Sequence, residues 1–159
     1  MNHTKLTTRT LVLVSGLSLG LAFPLIAAEK TVALKDAPAA VQKTITDQLK
    51  GGKLKSLSVE TENGKTEYEA ELTVDGRDKT VAMDASGKVL ETEMVVELKA
   101  LPEAVRAGLT RDAGKGSIAK VEEVAKEGVT SYEARVKEAG KKDREVAVGA
   151  DGKLIAPKK

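Results

Sequence analysis

A strand-like stretch that occurs twice constrains the fold of this chain more than any other feature. Thr66–Val74 reads TEYEAELTV, and Thr130–Val136, 64 residues later, reads TSYEARV. Apolar and charged residues alternate in both, which is the period of a strand with one buried and one solvated face. Tyr68 and Tyr132, the two tyrosines of the sequence, occupy matching positions and are predicted to face the core. The repetition predicts two similar structural units.

The first 28 residues have the pattern of a secretory signal peptide. His3 and Lys5 give a cationic start, residues 11–25 form an apolar run, and small residues lead to Ala28 and Glu29. This pattern predicts cleavage between Ala28 and Glu29, and a periplasmic or secreted protein. A membrane anchor is the alternative, but an apolar run of about 15 residues is shorter than the roughly 20 that a spanning helix requires.

The composition of the predicted mature chain excludes several functions. Residues 1–28 hold two of the 26 basic residues and none of the 24 acidic ones, so the remainder is close to neutral. Without a basic excess, nucleic-acid binding loses its main electrostatic support. The single histidine, His3, leaves with the signal peptide, and the chain has no cysteine. We therefore predict no enzyme of the Cys-His or Ser-His-Asp type, no cofactor, and no zinc or copper site.

Weaker chemical alternatives remain open. Ser86 and Lys88 flank a turn glycine and are interpreted as a hairpin end, not as a Ser-Lys pair. A weak cation site could use Asp75, Asp78 and Asp84. However, no loop has the pattern of a calcium-binding loop, in which alternating acidic ligands are followed by a bidentate glutamate. The carboxylates of strand-like stretches are interpreted as a solvated sheet face. They are Glu67, Glu69, Glu71, Glu91 and Glu93.

A second match at the spacing of 64 sets the predicted boundaries of the units. Glu29–Pro38 matches Glu93–Pro102, with Glu, Val, Leu, Lys and Pro identical. The sequence therefore predicts a signal peptide over 1–28, a first repeat over 29–92 and a second repeat over 93–157.

Each repeat is predicted to contain one helix and four strands. Proline suits a helix start, and Val41, Ile45 and Leu49 then recur at helical spacing. Gly108 weakens the second helix, at a cost of about 1 kcal/mol relative to alanine. Turn dipeptides such as Asp75-Gly76 separate the strands and favour antiparallel hairpins. In the first repeat the predicted strands cover 53–62, 65–74, 77–83 and 88–93. The predicted class is α+β, with two tandem repeats of one helix on a four-stranded antiparallel meander.

These residues carry a resemblance to a known family. GKTEYEA at 64–70 and DASGKVL at 84–90 resemble the PepSY-like family, and two such units are similar to PepSY-like, beta-lactamase-inhibitor-like exported proteins. The second repeat departs from the pattern, with Gly149 at the position of Asp84, and Ala37 stands where the second repeat has leucine.

The resemblance implies a non-enzymatic periplasmic module that binds protein, with inhibition or restraint of an envelope peptidase as its expected role. A small-ligand- or cation-responsive envelope protein is the alternative function. Strand addition at a free sheet edge is a ready mode of partner binding. Edge lysines would oppose it, and the candidates are Lys53, Lys55, Lys141 and Lys142.

Overall fold

The computed structural model describes residues 29–62 and 64–155. The predicted signal peptide, 1–28, lies outside the described residues, and so does Ala28 on one side of the predicted cleavage. The end of the predicted second repeat, 156–157, also lies outside them.

Eight antiparallel strands form one continuous sheet in the order of the sequence. Each strand pairs with the next, so both predicted repeats contribute to the same sheet. The strands are β1 (Lys30–Thr31), β2 (Lys53–Glu62), β3 (Lys65–Val74), β4 (Arg77–Asp84), β5 (Val89–Val95), β6 (Ser117–Lys126), β7 (Val129–Lys137) and β8 (Arg144–Gly149). The predicted α+β class is confirmed, and the arrangement is consistent with helix-on-meander repeats.

Two helices, α1 (Ala39–Leu49) and α2 (Glu103–Ala113), pack on one face of this sheet. Each begins directly after a proline, whose carbonyl oxygen accepts the first helical hydrogen bond: Gln42 N donates to Pro38 O over 3.0 Å, and Arg106 N donates to Pro102 O over 3.0 Å. A single 3₁₀ turn precedes each proline, at Leu34–Asp36 and at Leu98–Ala100.

Each helix covers its own apolar cluster. The first cluster contains Ile45 of α1 and, on the sheet beneath it, Leu57, Leu72, Val81 and Met83, all at most 2% exposed. In the second cluster, the fully buried residues include Val105 and Leu109 of α2 and Ala134, Val136 and Val148 of the sheet. Tyr132 is buried in the second cluster, and Tyr68 is half-buried against the first. Burial of such aliphatic side chains, worth about 1.5 to 3 kcal/mol each, holds the helices on the sheet.

Strand β5 joins the two halves. It pairs with β4 on one side and with β6 on the other, and the predicted boundary between 92 and 93 falls within it. The chain then continues directly into the second core, since Val96 N donates to Val121 O over 3.0 Å and Leu98 packs against the second cluster.

The fourth strand of the second repeat is reduced to one bridge within the described residues. Leu154 pairs with Val148, and Ile155 N donates to Ala147 O over 2.8 Å. Strand β5 is paired on both sides, whereas Leu154 pairs only with β8 among residues 29–62 and 64–155. This difference explains why the matching segment is shorter.

The second repeat has Gly149 at the position of Asp84, and the local hydrogen bonds explain this difference. In the first repeat, Asp84 accepts hydrogen bonds from the backbone N–H groups of Ser86 (2.8 Å) and Lys88 (3.1 Å), which fixes the turn. In the second, Asp151 accepts from Lys153 N over 3.0 Å instead. The carboxylate that caps the turn has moved two residues along the chain.

Gly108 is required by a close approach between α2 and the turn at Gly152. A Cβ added at Gly108 would lie 2.2 Å from the Gly152 carbonyl oxygen, and one at Gly152 would lie 2.0 Å from the Ala104 carbonyl oxygen. In the first repeat, Thr44 occupies the matching helix position and donates to Gly87 O over 2.7 Å. The low helix propensity of Gly108 is therefore offset by the close packing of α2 against the turn at Gly152.

We predict that Gly108→Ala lowers the free energy of unfolding by about 1 to 3 kcal/mol, because the added methyl group overpacks the contact with Gly152. Helix propensity alone predicts the opposite sign, a gain of about 1 kcal/mol. Thr110→Ala, at an exposed position of the same helix, is the matched control and should be neutral or slightly stabilising. Urea unfolding measures both, and a stabilised Gly108→Ala protein would contradict the packing argument.

Candidate functional site

The sheet face opposite the helices, here called the open face, is the candidate site. Strand alternation places Tyr68, Ala70 and Leu72 of β3 against the helix side, so Glu67, Glu69 and Glu71 lie on the open face. The register carries this division across the whole sheet, because directly paired residues share a face.

Cross-strand pairing brings the predicted carboxylates together at the centre. One row runs from Glu69 through Ala82 and Glu91 to Lys126. The next row continues from Glu71 through Thr80 to Glu93, Val124 and Ser131.

The open face is predominantly acidic. By register, its carboxylates come from Glu60, Glu67, Glu69, Glu71, Asp78, Asp84, Glu91, Glu93, Glu122, Glu133 and Glu145. The basic residues in the same rows are Lys53, Lys65, Lys120, Lys126, Arg135 and Lys137, and Lys126 forms an ion pair with Glu91. A net negative surface faces away from both helices.

The central carboxylates are half-buried, which differs from the predicted solvated face. Val124 is 4% exposed, yet it belongs to neither core cluster, because it lies on the open face between Glu93 and Ser131. Directly paired side chains stand only about 5 Å apart on a sheet and shield one another from water. Alternation predicts which way these glutamates point, but not how crowded they are.

This crowding shifts the acidity of the central carboxyls. Burial raises the pKa of Glu93 to about 7, and the negative charges of Glu122, Glu91, Glu133 and Glu69 add to the effect. Burial also raises the pKa of Glu133, with further increases from Glu145, Glu91 and Glu122, while Lys126 lowers it. Desolvation is the first cause in both cases, since it penalises the charged form.

A shallow pocket of about 20 Å³ lies where the open face meets the β2 edge of the sheet. Its lining residues are Glu29, Ser58, Glu60, Glu67 and Glu69. Burial raises the pKa of Glu67; Lys126 lowers it, and Glu91 and Glu60 raise it.

The other predicted candidates lie apart from this centre. Asp75 is in the β3–β4 turn, Asp78 binds Lys55 over 3.2 Å, and Asp84 caps its own turn. Over residues 29–62 and 64–155, no three His, Cys, Asp or Glu side chains are placed to hold a metal ion. The Ser86 hydroxyl donates a hydrogen bond to Asp84 Oδ1 within the same turn.

No helix in the described part of the chain is long and apolar enough to cross a bilayer.

Similar folds occur among solved structures at low sequence identity. A DUF2874 family protein from Bacteroides ovatus aligns with a TM-score of 0.61 at 18% identity, covering 75% of this chain and 84% of that one. A BLIP-like protein from Bacteroides fragilis aligns at 0.58 and 21%, covering 75% and 83%. A protein from Bacteroides eggerthii, provisionally described as periplasmic, aligns at 0.62 and 15%, covering 75% and 86%. The chain therefore shares the fold of a BLIP-like protein.

Comparison with protein-family models gives no match, and comparison with the curated proteins gives none either. The narrower resemblance to the PepSY-like family remains a prediction.

The raised pKa of Glu93 makes stability depend on pH near neutrality. The folded carboxyl has a pKa of about 7, against 4.5 for the unfolded chain, so the folded state holds the extra proton between these values. The free energy of unfolding should fall as pH rises through this window and level off above it. Glu93→Gln should remove most of this slope and stabilise the protein at pH 8 by about 1 to 2 kcal/mol, after allowance for solvent screening.

Chemical unfolding at a series of pH values between 5.5 and 8 measures this slope. Glu97→Gln, which changes an exposed carboxylate outside the open face, is the matched control and should retain the wild-type slope. Equal slopes in wild type and Glu93→Gln would contradict the desolvation of Glu93.

Proposed function

We propose that the protein is a non-catalytic periplasmic module that binds another protein through the open face. The observation that carries this proposal is the crowding of carboxylates at the centre of a sheet face that neither helix covers. Desolvated carboxylates such as Glu93 and Glu133 cost folding free energy, and groups retained at such a cost are candidates for function. A face that served only for solubility would have its charges fully hydrated.

The charge of this face defines the chemistry of the partner. A partner surface rich in Lys and Arg would pair with Glu93 and Glu133 and replace the hydration that they lack. Complementary charge also speeds association and weakens with added salt. The predicted signal peptide supports the periplasm as the compartment. The similar Bacteroides eggerthii protein, provisionally described as periplasmic, gives the same indication.

The specific role that we propose is restraint of an envelope peptidase. The fold similarity to a BLIP-like protein supports a role in protein binding. The PepSY-like resemblance supports the choice of a peptidase as the partner. Binding a protein without altering it requires no nucleophile, which fits a predicted mature sequence without histidine or cysteine.

Neutralising the centre of the open face should weaken partner binding. We predict that the Glu93→Gln, Glu133→Gln double variant binds the partner captured from a periplasmic extract at least about tenfold more weakly than wild type, because two desolvated charges are lost. Glu97→Gln combined with Glu103→Gln removes the same charge away from the open face and should bind as wild type does. Surface plasmon resonance at low and high salt measures both. Equal affinity of wild type and the open-face variant would exclude the open face as the binding surface.

The peptidase role has its own test. At a concentration equal to its own dissociation constant for the captured partner, the protein should reduce the rate at which that partner hydrolyses a peptide substrate. The double variant at the same concentration should leave that rate nearly unchanged. If the partner binds through the open face but has no peptidase activity, the proposed protein-binding function stands and the proposed peptidase role is wrong.

A further inference from the structure

Glu29, which directly precedes β1, lies at the acidic end of the open face. Lys30 pairs with Val59, so the register continued by one residue places Glu29 opposite Glu60. The shallow pocket of the open face is lined by Glu29 and by four residues of β2 and β3, which are Ser58, Glu60, Glu67 and Glu69. The start of β1 and the side chains of two further strands therefore meet at one point.

Like charges are crowded at this pocket. Its lining consists of four glutamates and one serine. Glu60 and Glu67 are direct cross-strand partners, and two like charges in that arrangement destabilise a sheet. Burial raises the pKa of Glu67, and Lys126, which partly opposes this rise, is already paired with Glu91. The lining residues themselves thus supply no cationic side chain.

The pocket has the size of one small cationic group. Its volume is about 20 Å³, whereas one water molecule requires roughly 10 to 15 Å³. An ammonium group is similar in size to a water molecule. Over residues 29–62 and 64–155, no three carboxylates are placed to hold a metal ion. A single ammonium group therefore fits this pocket better than a chelated cation does.

The chain supplies such a group if it is cleaved where the sequence predicts. Hydrolysis of the peptide bond between Ala28 and Glu29 leaves a carboxylate on the departing Ala28 and an ammonium group on Glu29. An α-amine has an ordinary pKa of about 7.7 to 8.0, so it is mostly protonated at neutral pH. Directly paired residues lie only about 5 Å apart on a sheet, which places the new charge close to the Glu60 carboxylate.

Strand β1 is anchored from its other end. Its two residues, Lys30 and Thr31, are both exposed. The residue that follows them is fixed, since Val32 N donates to Leu57 O over 2.9 Å and Val32 packs against the first core cluster. An attraction at Glu29 would act on the opposite end of the strand, so β1 would be held at both ends.

We propose that signal-peptide cleavage completes this edge of the sheet: the α-ammonium group of Glu29 occupies the acidic pocket, offsets the charges of Glu60 and Glu67, and holds β1 against β2. Before cleavage, the same nitrogen is an uncharged amide and the repulsion among the carboxylates remains. The inference rests on the predicted signal peptide. It goes beyond the proposed function, because it does not depend on any partner.

Removal of the new charge tests the proposal. Mass spectrometry of the protein recovered from the periplasm should show a chain that begins at Glu29. The same chain is then compared with a form that carries an acetyl group on the Glu29 nitrogen. Val32 bonds to Leu57, and alternation along the strands directs the Val59 amide to Lys30 in the same way. Hydrogen exchange of the Val59 amide should be about threefold slower with the free amine, because β1 opens less often.

Substitutions in the pocket test the location of the effect. In a Glu60→Gln, Glu67→Gln double variant, the free and acetylated chains should exchange the Val59 amide at the same rate, because the charges that attract the ammonium group are gone. Glu97→Gln combined with Glu103→Gln removes the same charge away from the pocket. This matched control should retain the difference between the free and acetylated chains.

Three results would overturn this inference. They are an exported chain that begins at another residue, equal exchange of the Val59 amide in the free and acetylated chains, and a difference that persists in the Glu60→Gln, Glu67→Gln variant. None of them bears on the proposed function, which is tested by partner binding to the Glu93→Gln, Glu133→Gln variant.

Discussion

The pairing of β5 with both of its neighbours is the interaction on which the rest of the structure depends. The hydrogen bonds of Val89–Val95 to β4 and to β6 turn two helix-covered meanders into one sheet. Both helices lie on one side of that sheet, and their clusters bury nearly all of the large aliphatic side chains. Because the two clusters are separate, the continuity of the molecule resides in the backbone of β5 and its neighbours.

The same pairing creates the candidate site. Glu91 and Glu93 lie on the strand that joins the two halves, so carboxylates from both halves converge on them. Lys126 compensates Glu91, whereas the charged groups that surround Glu93 are acids. The centre of the sheet thus contains a carboxyl, Glu93, whose ionisation near neutral pH lowers the free energy of unfolding. A cationic partner would offset this loss of stability.

Much of the fold could be predicted from the sequence, since the relevant signals are local. The alternation around Tyr68 and Tyr132, the turn glycines and the prolines before α1 and α2 are each read within about ten residues. The pairing of β5 with β6 could not be predicted in this way, because strand partners are a long-range property. The half-burial of Glu93 follows from that pairing and from Val124, so a solvated face was the natural prediction.

The account depends most directly on the state of the Glu93 carboxyl, which nuclear magnetic resonance can follow through its side-chain carbon across a pH titration. The structure predicts a midpoint near 7, because burial and the surrounding carboxylates disfavour the charged form. A midpoint near 4.5, the ordinary value for glutamate, would mean that the centre of the sheet is fully hydrated and would contradict the account.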